Sequence, residues 1–172
     1  MNANDISIRK MNHTDYEVMS KWLSTTEVLE FYGDVHSPFS LEQVKEKYEP
    51  RVNGDVPVVP FIVDLNREPI AFMQYYKLNT KQFKDNTYHP SDHVYGIDQF
   101  IGEPHLFNKG IGTIMVRKFI DYIGEHTNAD IIILDPNISN VRAIKCYEKC
   151  GFRKVKKMND GCHWLMEIKI SA

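Results

Sequence analysis

Asn108-Lys109-Gly110-Ile111-Gly112-Thr113 lies between an apolar run, Val94 to Ile101, and an amphipathic run, Thr113 to Ile123. Two glycines set so closely at the start of a helix present backbone N–H groups, an arrangement suited to phosphate. The segment lacks the Lys-Ser/Thr ending of a nucleotide P-loop and the wider spacing of a dinucleotide fingerprint. It reads as a pyrophosphate cradle of another kind, set between a strand and a helix.

The flanks extend that pattern. Ile131-Ile132-Ile133-Leu134 is a strand apolar on both faces. Strand, helix and strand in this order imply a parallel pair with a right-handed crossover. Ser139 or Asn140 caps the next helix, which stops at Gly151 with Phe152 folding back behind it. Two last strands, Phe152 to Lys157 and Cys162 to Ile170, are joined by the turn Asn159-Asp160-Gly161. Upstream, Ile6 and Ile8 alternate with polar residues as a first short strand. Thr14-Asp15 offers an N-cap to a helix that buries Met19, Trp22 and Leu23. Val28 to Tyr32 forms a second short helix or turn ending at Gly33. A third helix carries Leu41, Val44 and Tyr48 on one face and is closed by Pro50. Val58 to Leu65 and Ile70 to Leu78 are strands joined by the hairpin connection Asn66-Arg67-Glu68. Residues 79–93, polar and aromatic without period, read as a surface loop. The expectation is a single α/β domain over residues 1–172. It has a mixed sheet of about six or seven strands and about four or five flanking helices, counted from the periodic runs.

Composition removes several classes of function. Hydrophobic residues make up 42% and charged residues 26%, the balance of a soluble globular protein. With 21 basic against 23 acidic side chains, the basic excess of a nucleic-acid binder is missing. The first residues, Met1-Asn2-Ala3-Asn4-Asp5, have neither the basic head nor the apolar stretch of a secretion signal. No run approaches the roughly 18 apolar residues of a membrane span. Three cysteines are too few, and odd in number, for a disulfide framework, so a reduced cytoplasmic protein is expected. The spacing of Cys146, Cys150, Cys162 and His163 matches no standard zinc site, and no metal is expected.

Asp98 is the anomaly of its strand, since aspartate is depleted from strand interiors. If Ile97 and Ile101 face the core, Gly96, Asp98 and Phe100 face the other side of the sheet. That side is then a cleft, or Asp98 is salt-bridged across the sheet; an unpartnered buried carboxylate would cost several kcal/mol. Asp135 ends the parallel strand, where open α/β sheets place their ligands; the bland reading is that it caps the following turn. Read with Asp98 as one acidic cleft, it suits a small cationic amine substrate. Ala143, Ile144, Tyr147 and Cys150 share one helical face. Tyr147 on that stripe is either a core aromatic or a hydroxyl with work to do.

The order strand, Lys109-Gly110-Ile111-Gly112, helix, strand, Asn140-x-Arg142-Ala143-x-x-x-Tyr147-Glu148-Lys149-x-Gly151-Phe152 resembles the GNAT superfamily of acetyl-CoA-dependent N-acetyltransferases. Within it, Tyr95-Gly96-Ile97-Asp98-Gln99-Phe100-Ile101-Gly102-Glu103-Pro104 and Leu134-Asp135-Pro136 resemble the aminoglycoside 6′-N-acetyltransferases. The resemblance implies a GNAT-like fold, acetyl-CoA as co-substrate, and transfer to a primary amine, most directly the 6′-amino group of an aminoglycoside. It also implies roles. Backbone N–H groups of Phe107, Asn108, Lys109, Gly110, Ile111, Gly112 and Thr113 would hold the coenzyme A pyrophosphate. Gln99, Phe100 and Ile101 would pair with the pantetheine arm, and Asn140 would hydrogen-bond it. Tyr147 would stand near the sulfur as general acid. Asp98 would be the base or ammonium anchor, Asp135 would bind the amino sugar, and Tyr32 and Tyr48 would line the acceptor cleft. Other readings within the superfamily are acetylation of a siderophore precursor, a polyamine or a protein amino group. A non-catalytic acetyl-CoA-binding module is the reading outside enzyme chemistry. The assembly expected is a monomer or a homodimer.

Overall fold

The computed structural model describes residues 2–79, 87–158 and 160–170. Phe83 and Asp85 of the expected loop, and Asn159 of the expected last turn, lie outside those residues. Seven strands form one sheet in the order β1-β2-β3-β4-β5-β7-β6. They are β1 (Ile6–Lys10), β2 (Val58–Leu65), β3 (Glu68–Lys77), β4 (Val94–Ile101), β5 (Ile131–Leu134), β6 (Arg153–Lys157) and β7 (Trp164–Lys169). Five helices accompany them: α1 (Tyr16–Trp22), α2 (Thr26–Leu29), α3 (Leu41–Val52), α4 (Ile111–His126) and α5 (Val141–Lys149). The sheet is mixed: β4 and β5 are parallel, while β1 with β2, β5 with β7 and β6 with β7 are antiparallel. The backbone divides into two compact units, Met1–Gln74 with Asp98–Met115, and Tyr75–Ile97 with Val116–Ala172.

In the first unit, α1, α2 and α3 bury Met19, Trp22, Leu29, Val44 and Tyr48 against Ile62, Phe72 and Phe100. Side chains of this size each contribute about 1.5–3 kcal/mol when fully buried. Glycine at 102 is required here, because a Cβ would stand 2.2 Å from the Trp22 ring. The indole N–H of Trp22 donates to Glu103 Oε1 at 3.1 Å, so packing and polarity fix this contact together.

Three local expectations are corrected in this unit. Asp15 stands at the N-cap of α1 as expected, but its side chain makes no capping hydrogen bond there; the capping box lies one turn earlier, where the Asn12 side chain accepts from Thr14 N–H while Asp15 accepts from Asn12 N–H. Asp15 is instead committed to Arg9, whose two terminal nitrogens reach its carboxylate at 2.8 Å each while Nε reaches Asp64 at 2.8 Å. Pro50 does not close α3, which runs on to Val52. A proline in the last turn forfeits one helical hydrogen bond, and its carbonyl still accepts from Asp55 N–H at 2.8 Å. The β2–β3 connection is tighter than expected. Only Asn66 and Arg67 make the turn, both at positive φ as a twisted two-residue hairpin demands, and Glu68 already belongs to β3.

In the second unit, every residue of β5 is buried, and Ile131 and Ile133 join Val94, Leu165 and Tyr88 in one cluster. Tyr88 falls in the stretch expected to be a surface loop, yet it is packed into that cluster. The α5 terminus is a Schellman closure: Gly151 at φ 103°, Phe152 N–H on Tyr147 C=O, and Gly151 N–H on Glu148 C=O. Parallel pairing of β4 with β5 runs from Val94↔Ile131 to Gly96↔Ile133, three of the eight residues of β4. A Cβ at Gly96 would stand 2.5 Å from the Tyr76 ring, so this strand too needs a glycine.

Candidate active site

Beyond Ile101 the chain makes one 3-10 turn, Pro104–Leu106, and passes through Asn108 at φ 61° and Gly110 at φ 79° into α4. Gly110 C=O accepts the first helical bond, from Ile114 N–H at 3.3 Å. The N–H groups ahead of that bond have no acceptor within a helix, and the helix dipole adds to their positive character. No acidic side chain occupies the first turn of α4 to compete with an anion. Nothing lies within 4 Å of where a Gly110 Cβ would be, so the main chain here is open to a bulky group. Asn108, Lys109 and Gly110 are exposed, whereas Ile111 is buried and anchors the helix start. This geometry fits a pyrophosphate.

Asp98 stands three residues before the end of β4. It shares a face with Phe100, whose ring lies 4.6 Å from Tyr32, 5.3 Å from Phe72 and 6.0 Å from Trp22. Ile97 is buried on the opposite face, as the alternation required. The Asp98 carboxylate accepts from Gln74 Nε2 at 2.7 Å, and Gln74 Oε1 in turn accepts from Arg51 Nη1 at 2.7 Å. A glutamine thus relays between a cation and a carboxylate. Burial pushes the Asp98 pKa up from the ordinary range, with Gln74, Arg51 and Lys47 pulling it back only in part. Lys47 lies one turn before Arg51. Its ammonium is 5.0 Å from the Phe39 ring centre and 5.4 Å from that of Tyr48, over which the Arg51 guanidinium also sits, at 5.3 Å. Its side chain is exposed along its length but its charged end rests on these rings; that desolvation, then Arg51, lowers its pKa against the opposing pull of Asp98. Tyr48 is fully buried, which pushes its pKa up to about 12. Its hydroxyl interacts with that of Tyr32 but makes no hydrogen bond of normal geometry among the described residues.

These positions all belong to the first unit, as do Gln99, Ile101 and the turn 107–113. Lys47, Arg51 and Gln74 were not anticipated as site residues. Signals for them existed: Val44, Lys47, Tyr48 and Arg51 follow helical spacing, and Gln74 interrupts the apolar run Ile70-Ala71-Phe72-Met73.

Asp135, Asn140 and Tyr147 belong to the second unit. Asp135 is exposed just past β5, and the following segment is held by Trp164 N–H on Pro136 C=O and Ile138 N–H on Cys162 C=O. Asn140 caps α5, its Oδ1 accepting from Ala143 N–H at 3.3 Å, which leaves the amide N–H groups as the donors it can offer a ligand. Tyr147 is buried on α5 with its ring edge-on to Phe152 at 6.1 Å. Cys146 and Cys150 are free thiols one helical turn apart, and their mutual hydrogen bond, with burial, raises the Cys150 pKa. Among the described residues no group of three His, Cys, Asp or Glu side chains could hold a metal. No helix there is long and apolar enough to cross a membrane.

Residues 12–159 match the model of the Acetyltransferase (GNAT) domain. Aminoglycoside N(6′)-acetyltransferase type 1 of Klebsiella pneumoniae is 34% identical over 157 residues, covering 89% of this chain and 77% of its own. The structure of AAC(6′)-Ib with ribostamycin and coenzyme A superposes with a TM-score of 0.82 at 30% identity, over 96% of this chain and 93% of that one. The same enzyme with coenzyme A and kanamycin gives 0.80 at 30% identity, over 95% and 94%. The seven-stranded mixed sheet with its five helices is therefore the GNAT fold. By its family and its relatives, this chain belongs to the GNAT acetyltransferases.

Proposed function

We propose that the chain, as one catalytic domain, transfers the acetyl group of acetyl-CoA to a primary amine by direct attack in a ternary complex. The observation that carries this reading is the open glycine turn at the start of α4, reached directly from the strand that bears Asp98. Backbone N–H groups of Asn108 to Thr113 bind the coenzyme pyrophosphate, whereas that of Phe107, also expected to do so, donates to Pro104 C=O at 3.1 Å. The short β4–β5 ladder supports the pantetheine reading, since β4 continues past Gly96 as a strand alongside which Gln99 to Ile101 can pair with that arm. Asn140 donates to it from its side-chain amide.

An amine must lose a proton before it attacks. A free aspartate near pKa about 3.9 is a poor base for an ammonium near about 10. The raised pKa of Asp98 narrows that gap, and desolvation of the amine narrows it from the other side. Asp98 anchors the ammonium through Oδ1, the oxygen not taken by Gln74, and receives its proton directly or through water. The nitrogen–carbon bond forms at the thioester carbonyl, and a main-chain N–H between Asp98 and Phe100 stabilises the oxyanion. The carbon–sulfur bond then breaks, and the Tyr147 hydroxyl protonates the departing thiolate. Asp135 binds the acceptor sugar, and Tyr32 and Tyr48 line its cleft. The relatives make the 6′-amino group of an aminoglycoside the first acceptor to test. Lys47 and Arg51 favour a second reading, another amine that is not a polycation. The protein acts as a monomer or homodimer in the reducing cytoplasm, where its thiols remain free. Release of coenzyme A thiol from acetyl-CoA in the presence of kanamycin, polyamines, amino acids, and amino sugars with and without a phosphate tests the reading. Acetylation of at least one amine is expected; no turnover with any of them would overturn it.

A further inference from the structure

We propose that the acceptor site around Asp98 is built for an amine that also carries an anionic group, a carboxylate or a phosphate, bound by Arg51 and Lys47. The inference rests on the reading of Asp98 as the ammonium anchor and narrows its acceptor. Three observations carry it. Two cations from adjacent turns of α3 face a single carboxylate, so the cluster keeps positive charge after Asp98 is counted. The Arg51 guanidinium spends Nη1 on Gln74 and makes no other hydrogen bond among the described residues. The Lys47 ammonium rests over aromatic rings and forms no ion pair there. Burial, then Arg51, lowers its pKa despite the opposing pull of Asp98. Finally, the buried Tyr48 hydroxyl lies under the influence of both Arg51 and Asp98 and lacks a hydrogen bond of normal geometry. A buried donor of that kind calls for an acceptor oxygen.

A polycation entering this site meets repulsion from Lys47 and Arg51 and attraction from one aspartate, already hydrogen-bonded to Gln74. An amino acid or an amino sugar phosphate places its ammonium on Asp98 and its acid on the α3 pair. A planar guanidinium and a nearby hydroxyl make the geometry that carboxylate and phosphate oxygens prefer.

Two matched pairs of acceptors test this, each differing only in the acid. They are ornithine against putrescine for the carboxylate, and 6-amino-6-deoxyglucose 1-phosphate against 6-amino-6-deoxyglucose for the phosphate. Kanamycin is the polycationic reference. Binding to the coenzyme A-loaded protein and kcat/KM for acetylation are both measured. At least one acid-bearing member is expected to exceed its acid-free partner and kanamycin about tenfold or more, which identifies the acid. Arg51→Gln and Lys47→Gln should each cut that preference to about threefold or less through KM, and Arg51→Lys should keep most of it. Acetyl-CoA affinity should be unchanged in all three variants, which reports an intact fold. Equal or better binding of kanamycin, no difference within either pair, or a preference that survives Arg51→Gln would overturn the proposal. Loss of acetyl-CoA binding in the parent protein would instead overturn the acetyltransferase reading beneath it.

Discussion

The glycine turn at 107–113 and the cluster around Asp98 belong to the same unit and flank the end of β4, but they are made of different material. The turn, as a proposed coenzyme site, would work through main-chain N–H groups, and its side chains matter chiefly where they permit a backbone conformation, at Asn108 and Gly110. The cluster works through side chains alone, drawn from α3, β3 and β4, and tied by two hydrogen bonds through Gln74. A site made of backbone keeps its ligand while most of its side chains drift. A site made of side chains changes its ligand with one or two substitutions on a helix face. In a GNAT chain this contrast separates a fixed acetyl donor from an adjustable acceptor.

The contrast breaks most visibly if Asp98→Asn fails to matter. Turnover should fall by roughly 10² or more with coenzyme affinity unchanged, the scale of a lost proton-transfer group, as steady-state rates and calorimetry would show. Tyr147→Phe comes next. It keeps the packing on Phe152 and removes one hydroxyl. Single-turnover acetyl transfer should therefore drop about ten- to a hundredfold with little loss of stability. A parent-like rate would make Tyr147 a core aromatic only. Gly110→Asp tests the turn: carboxylate and pyrophosphate repel, and φ 79° is strained for any side chain. Coenzyme A should bind about tenfold more weakly, and unchanged binding would remove the pyrophosphate from this turn. Asp135→Asn should do least, raising the acceptor KM a few-fold at constant kcat, as for lost ground-state binding.

The cluster also sets a pH dependence. Asp98 must be ionised to hold an ammonium, and its pKa is raised by burial, so kcat/KM should fall on acidification at a higher pH than for an ordinary carboxylate. Arg51 favours the ionised form. Arg51→Gln should therefore move that acid limb to still higher pH, and a limb that moves down would contradict the relay through Gln74.

What could be read from the chain follows the same division. β2, β4 and β5 begin and end where their apolar runs do, because buried strands are written in consecutive residues. Gly151 as a helix stop and the glycine turn were legible for the same reason, since a local backbone need has a local residue. Asp15 was placed at the start of α1 correctly, but its carboxylate does not cap that helix because it is drawn to Arg9 by a contact the local sequence does not display. Pro50 misled because, two residues before the end of α3, it costs the helix only the one bond its missing N–H would have made and leaves the last turn intact. Lys47 and Arg51 were not singled out, since a charge on a helix carries no local signal of its partner. Only the fold brings Gln74 and Asp98 to Arg51 and reveals a network.

The close approach of Gly102 to Trp22 has a consequence in genetic terms. Because any Cβ at 102 enters the indole ring, the two positions should behave as a single locus. An alanine at 102 should be tolerated only in a background where residue 22 has already shrunk. Such a background has lost the indole N–H that holds Glu103, so the double mutant should recover packing but not that hydrogen bond. A screen for suppressors of Gly102→Ala should therefore return changes at Trp22 before changes anywhere near Asp98.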